Sequence, residues 1–263
     1  MSARILAYHR VCDGAAPGLE SWSVRPSVFR RQMTLLKKLG YHGVPVNALL
    51  DALERGAVGE KLIGLSFDDG YLDTVEHALP ILQAIGFAGS VYIVPDAVGG
   101  ETTWEAEGAR SRLAGWSDLR KLADAGWEIG MHSCSHPARL DLLTGPELEL
   151  EVRGGLQRIE ETLGIRVETF AFPHGHYSAE AVALIERAGY CAALTRDPGT
   201  VTSAASRFLL PRYEIKRRDT LLEFAFMLWT GIAPRRRATF ARLAPARLNG
   251  RAHRPESTIS TTH

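Results

Sequence analysis

Four short stretches of this sequence carry side chains able to do acid–base or metal chemistry. One apolar run ends in Ser66-Phe67-Asp68-Asp69-Gly70, and another leads into His132-Ser133-Cys134-Ser135-His136. A third reads Phe172-Pro173-His174-Gly175-His176-Tyr177, and an apolar opening segment ends at Tyr8-His9. Two adjacent carboxylates at a closed strand end repel one another if both stay unpaired. A bound cation removes that objection by taking one of them and keeping the other ionised. Asp-Asp-Gly is also an ordinary turn sequence. His132 and His136 are four apart, which brings both imidazoles to one side if the segment turns helically. Two histidines and a carboxylate are a common facial set for a divalent metal that keeps positions open for water. Cys134 lies between the histidines at a spacing that points it away, and it reads as a buried, inert thiol.

The elements that must position these residues show as a recurring pattern: an amphipathic helical stretch, a glycine with a large apolar neighbour, then a β-rich run. It occurs around Gly40, Gly86, Gly126, Gly164 and Gly189, each suited to the left-handed residue that ends a helix. Thr144-Gly145-Pro146-Glu147 reads as a capping box opening the helix before Gly164. The β-rich runs are short and nearly continuously apolar, as in parallel strands buried on both faces. With residues 5–9 and 62–67 added, about seven strands alternate with helices. That alternation predicts an α/β fold with a closed parallel barrel, whose active site gathers at the strands' carboxyl ends. The alternative is an open doubly wound sheet, but no Gly-x-Gly-x-x-Gly follows the first strand. Pro95–Gly115 is a long loop placed to cover one mouth, and a last amphipathic helix runs from Thr220 to Leu228.

Composition bounds the function classes. The 263 residues are 45% hydrophobic and 23% charged, enough for a sizeable core and too apolar for general disorder. No apolar run approaches the roughly 20 residues of a membrane span. Three cysteines make poor material for a disulfide framework. The opening residues show neither the apolar stretch nor the cleavage site of a secretory signal, so the expected location is cytoplasmic. The net charge of +1 hides an asymmetry. Residues 235–263 hold seven arginines against Glu256, a net +6, leaving −5 on residues 1–234. A basic extension with a single aromatic, Phe240, on an acidic body argues against nucleic acid. It suits a solvated tail, or contact with an anionic membrane surface or lipid-phosphate carrier, peripheral to the inner face of the membrane.

Leu65-Ser66-Phe67-Asp68-Asp69-Gly70, His132–His136 and Phe170-Ala171-Phe172-Pro173-His174-Gly175 together resemble the first three motifs of the polysaccharide deacetylase family, the NodB-homology or carbohydrate esterase 4 group. The resemblance spans about residues 3–215. It implies a distorted (β/α)7 barrel over residues 1–218, followed here by a helix at 219–234 and the basic tail at 235–263. It also implies a metal-dependent hydrolase that removes the acetyl group of an N-acetylated amino sugar on a polysaccharide, lipid-linked or other glycoconjugate substrate. Asp69, His132 and His136 match the metal ligands, usually of zinc, with cobalt or nickel as substitutes. Asp68 matches the general base, and Pro173-His174-Gly175 the groove motif whose His174 N–H helps hold the oxyanion, with Tyr177 following. Ala171 stands where many members carry an arginine that orients the base, and no Leu-x-x-His follows Tyr190. Tyr8-His9-Arg10-Val11 is similar to the opening of the poly-N-acetylglucosamine deacetylase-like subgroup, in which this early histidine is the acid. His9 is therefore the expected acid, and Arg212 the candidate orienting arginine. Trp104, in the long loop, is the candidate sugar contact, with Trp22 also able to stack. A deformylase or cyclic-amide hydrolase on the same barrel, or a glycan-binding barrel without turnover, are the alternatives. Oligomeric state is left open.

Overall fold

Seven strands run parallel and present the same end to one mouth: β1 (Ser2–Tyr8), β2 (His42–Val44), β3 (Leu62–Phe67), β4 (Ser90–Ile93), β5 (Glu128–Met131), β6 (Thr169–Ala171) and β7 (Ala192–Leu194). They come from a computed structural model that describes residues 2–14, 18–56, 61–105, 109–202 and 206–232. The helices that intervene are α1 (Pro26–Lys38), α2 (Val46–Glu54), α3 (Leu79–Gln83), α4 (Trp116–Asp124), α5 (Gly145–Arg153), α6 (Leu156–Leu163) and α7 (Ala179–Arg187), with α8 (Leu221–Thr230) at the end. The expected α/β class and barrel-like sheet are both present. The five glycines expected to end helices all have positive φ, from 61° to 94°. All described residues belong to one unit, Met1–Ala233, and the expected basic tail at 235–263 lies outside them.

The barrel is distorted at two places. β1 pairs directly with β3, Arg4 opposite Ile63 through Tyr8 opposite Phe67. β2 is displaced to the far side of β3, where it pairs with residues 62–64 while β4 takes Ser66 and Phe67. Gly43 permits this close approach, since a Cβ there would lie 2.6 Å from Leu65 and 2.7 Å from the Phe87 ring. At the other edge no full strand among the described residues joins β7 to β1. The segment Leu210–Glu214 bridges the gap instead. Leu210 pairs with Leu194, and Tyr213 and Glu214 pair in parallel with Leu6 and Ala7.

Alternation along the strands sorts side chains between two cores. Leu6, Tyr8, Ile63, Leu65 and Phe67 face the helices, in a cluster with Phe29, Met33 and Leu36 of α1. Ile5, Tyr92, Ala171, Leu194 and Leu210 form the barrel interior. Small residues leave room there for two large polar ones, Tyr92 and Arg212, both fully buried. Gly130 is such a position: a Cβ there would meet the Tyr92 ring at 2.5 Å.

Two expectations need correction. The stretch from Thr144 to Gly164 is two helices, broken at Gly154-Gly155, because the chain passes too close to its neighbours for side chains. A Cβ on Gly154 would lie 2.7 Å from Cys134 Sγ, and one on Gly155 2.4 Å from Pro95. Thr144 makes no side-chain cap, since Gly145 adopts a left-handed φ of 52° and its N–H turns to Glu180 Oε1 at 3.4 Å. By contrast Thr220 and Glu223 form a full capping box at the start of α8, which runs two residues past the expected end at Leu228. The long loop folds back over the mouth, with Ala114 N–H donating to Gly70 O and Leu72 N–H to Arg112 O.

Gly130→Ala should push the Tyr92 ring toward the Arg212 guanidinium, 5.9 Å away, in an interior with no slack. The expected loss is about 1–3 kcal/mol of unfolding free energy, read by denaturant titration. An unchanged midpoint would mean that this interior is not close-packed.

Candidate active site

The side chains singled out in the sequence sit where strands end. Asp68 and Asp69 follow β3, His132 and His136 follow β5, Pro173–Gly175 follow β6, and His9 follows β1. The backbone here is held in unusual conformations. Asp69, Ser133, His136 and His174, the four non-glycine residues of positive φ among those described, lie at 72°, 61°, 62° and 55°. Left-handed backbone costs an L-residue about 1–2 kcal/mol, and such residues persist only where surrounding contacts enforce them. Together these turns aim side chains inward that a relaxed chain would send elsewhere.

Asp69, His132 and His136 converge. Asp69 Oδ1 lies 3.3 Å from His132 Nε2 and 3.3 Å from His136 Nε2, and the three are buried. Their ligand atoms all fall within 4.8 Å of one another. His132 Nδ1 lies 2.7 Å from Ala171 O, so the ring donates there and turns its Nε2 lone pair toward the carboxylate. A lone pair facing a carboxylate oxygen is an acceptor facing an acceptor, which a shared metal cation resolves, as a proton on the imidazole does in its absence. Two imidazoles and a carboxylate in this arrangement fit a divalent metal of the zinc type. Burial pushes the Asp69 carboxyl up, but hydrogen bonding to His132 and His136 outweighs it and holds Asp69 well below the usual carboxylate range.

Asp68 has a different partner. Arg212 Nη1 donates to its Oδ1 at 2.6 Å and Nη2 to its Oδ2 at 2.8 Å, a bidentate pair with both residues buried. Arg212 also donates from Nε to Thr195 O at 2.9 Å and from Nη1 to Ser66 Oγ at 3.2 Å. Burial favours the neutral acid, yet Arg212 and then His132 hold the Asp68 carboxyl below its ordinary value. Arg212, on the segment that bridges β7 and β1, thus fixes the orientation of the Asp68 carboxylate.

His9 faces the same centre from β1. Burial lowers its pKa, while Asp69, Asp68 and Glu214 pull it partly back. Its ring packs on Trp22 with centroids 4.6 Å apart. Trp104 stacks on His136 at 4.4 Å, and His174 meets the same ring edge-on at 4.6 Å. Burial, then His136, push the His174 pKa down to about 4. Pro173 is buried, and Gly175, at φ 75°, leaves no room for a Cβ beside Arg196. Tyr177 is not drawn in with the rest. It packs on Phe172 and donates to Asp197 Oδ2 at 3.2 Å.

Residues passed over in the sequence complete the surroundings. Arg196, just past β7, donates to Glu214 Oε1 at 2.5 Å and to His174 O at 3.0 Å, and lies over the Trp22 ring. It ties the groove turn to the carboxylate near His9. Lys216 Nζ sits 4.0 Å from the Trp22 centroid. Tyr71 donates to Glu105 Oε1 at 2.8 Å, and burial, then Asp69, raise its pKa well above the usual phenol value. Reading the end of the seventh strand, Thr195-Arg196-Asp197, as the other ends were read would have found Arg196. Cys134 is buried as expected, and burial, then Asp96, push its thiol up to about 12.

A family model described as polysaccharide deacetylase matches residues 55–193, just over half of the chain. YxkH of Bacillus subtilis (strain 168), which carries the polysaccharide deacetylase name, is 24% identical over 212 residues, covering 80% of this chain and 70% of its own. The poly-β-1,6-N-acetyl-D-glucosamine N-deacetylase of Escherichia coli (strain K12) is 27% identical over 264 residues, covering 86% of this chain but 38% of that enzyme. Among solved structures, BC0361, a polysaccharide deacetylase from Bacillus cereus, superposes with a TM-score of 0.72 at 25% identity, over 87% of this chain and 69% of that one.

Removing one partner of a buried ion pair strands the other. Arg212→Met should therefore lower the unfolding free energy by about 3–5 kcal/mol. The double variant Asp68→Asn/Arg212→Met should recover most of that, because no buried charge is left alone. Denaturant titration of the single and double variants reads the coupling, and strictly additive losses would contradict it.

Proposed function

The chain belongs to the polysaccharide deacetylase family of metal-dependent hydrolases, and from that premise we propose that it removes the acetyl group from an N-acetylated amino sugar of a glycan or glycoconjugate. The observation that carries this reading is the pairing of neighbouring aspartates with different partners: Asp69 with His132 and His136, Asp68 with Arg212. Asp69, His132 and His136 would hold the metal. A divalent cation of the zinc type, when bound, supplies Lewis acidity to the acetyl carbonyl and to a water molecule.

The remaining work falls to the chain's own groups. Asp68, kept ionised and oriented by Arg212, accepts the proton of the water whose oxygen adds to the carbonyl carbon. The His174 peptide, in a turn braced by Arg196 on its carbonyl, donates its N–H to the oxyanion that develops. An amine anion is too poor a leaving group for the C–N bond to break unaided. His9, when protonated, gives the nitrogen its proton and regains one from Asp68, which took it from the water, so the amine leaves neutral and both groups return to their starting states. Acetate and a free amino sugar result.

Trp104, stacked beside His136, is the aromatic face we assign to a sugar ring, whereas the Trp22 ring is packed against His9, Arg196 and Lys216. The Escherichia coli relative's name makes β-1,6-linked N-acetylglucosamine the first substrate to try.

Acetate release from N-acetylglucosamine oligomers should vanish on chelation and return with zinc. Asp68→Asn should keep the metal, measured by elemental analysis, and lose about 10²–10⁴-fold in rate. His132→Ala should lose metal and acetate release together. Near-normal turnover by the Asp68 variant would overturn the assignment of the base.

A further inference from the structure

Helix α8 is apolar on both sides, and only one side is used. Phe224, Met227 and Leu228 are buried in the main core, and the Thr220–Glu223 capping box fixes the helix start. On the outer side Leu222 is 83% exposed, Phe226 48% and Trp229 84%. Their spacing of four and three residues puts them on one stripe of the helix. Ile232, 58% exposed, extends the apolar surface past the helix end. Rows of large apolar side chains in water mark a contact surface when they are contiguous and rimmed by polar groups.

The rim is mainly cationic, with Asp219 and Glu223 at the start of α8 as the nearby acids. α8 lies beside α1, whose thirteen residues include no acid. α1 exposes Arg30, Arg31, Lys37 and Lys38, and none of the four forms an ion pair with a described residue. Arg218 is exposed just before α8. This concentration of cations stands on a body that is −5 overall.

We propose that the outer face of α8, with Arg218 and the cations of α1, is a docking surface for an anionic phospholipid bilayer. Leucine, phenylalanine and tryptophan on one stripe enter the boundary between headgroups and acyl chains, and the surrounding arginines and lysines meet lipid phosphates. Charge argues against the alternative occupant. A second copy docking by a two-fold axis sets two cationic rims against each other. This inference is independent of the deacetylase reading.

The test is co-sedimentation of the full chain with vesicles of phosphatidylcholine alone and of phosphatidylcholine mixed with phosphatidylglycerol. The chain should bind the mixed vesicles and leave the neutral ones. The triple variant Leu222→Ser/Phe226→Ser/Trp229→Ser, altered only at exposed positions, should keep the wild-type thermal midpoint and bind at least about tenfold more weakly. Arg30→Gln/Arg31→Gln should weaken binding roughly thirtyfold, since each cation at the surface counts separately. Equal binding by wild type and the triple variant would overturn the proposal, as would equal binding to both vesicle types. Failure to bind either vesicle, with self-association that the triple variant abolishes, would overturn it in favour of a second copy.

Discussion

Two carboxylates adjacent in the chain are buried side by side at one strand end, and the rest of the site follows from having to satisfy both. Neither Asp68 nor Asp69 is free to take up a proton at neutral pH while a cation holds it, and one cation cannot serve both in the same way. The chain separates them by backbone geometry. Asp69 adopts a left-handed φ of 72° and turns toward His132 and His136, while Asp68 stays in line with β3 and meets Arg212. A carboxylate that binds a metal and a carboxylate that moves a proton need opposite environments. Here neighbouring residues obtain them from opposite walls of the barrel mouth.

The same constraint explains the architecture of the closing edge. Arg212 is fully buried and reaches Asp68 because Leu210–Glu214 takes the place of a strand between β7 and β1. A long guanidinium side chain must thread the interior, so that interior is lined by small residues, Gly64, Ser66, Gly130 and Ala171, with Tyr92 beneath the guanidinium. Closing the barrel and orienting the Asp68 carboxylate are thus one event. Glu214, next but one along that segment, reaches Arg196 and so links closure to the His174 turn. A buried pair of this kind adds little net stability over an apolar core, but leaving either charge alone is costly, so it specifies one closed arrangement.

Much of this was legible in the sequence, for identifiable reasons. Strands buried on both faces are continuously apolar, and helix ends that need a left-handed residue take glycine. Both signals are local, so all seven strands and the five terminating glycines could be read directly. Asp68-Asp69, His132, His136 and His9 were legible because strand-end polar residues stand out against apolar runs. Less legible were features decided by contacts between distant segments. The break at Gly154-Gly155 depends on Cys134 and Pro95, and the absent cap at Thr144 on Gly145 turning toward Glu180. The displacement of β2 depends on Phe87 packing against Gly43. Arg212 stood out only through a resemblance, because nothing near it in sequence shows that it spans the interior. Arg196, at a strand end, was passed over, and Tyr177, read with the groove motif, hydrogen-bonds to Asp197.

The central claim is that Asp69, His132 and His136 take the metal while Asp68 remains with Arg212. Anomalous diffraction at the zinc edge, from crystals of the chain soaked in zinc, tests this without assuming any substrate. The account predicts one strong peak about 2.0–2.2 Å from Asp69 Oδ1 and from Nε2 of both histidines, with the Asp68–Arg212 pair intact. A peak coordinated by Asp68, or none at this cluster in zinc-saturated crystals, would contradict it.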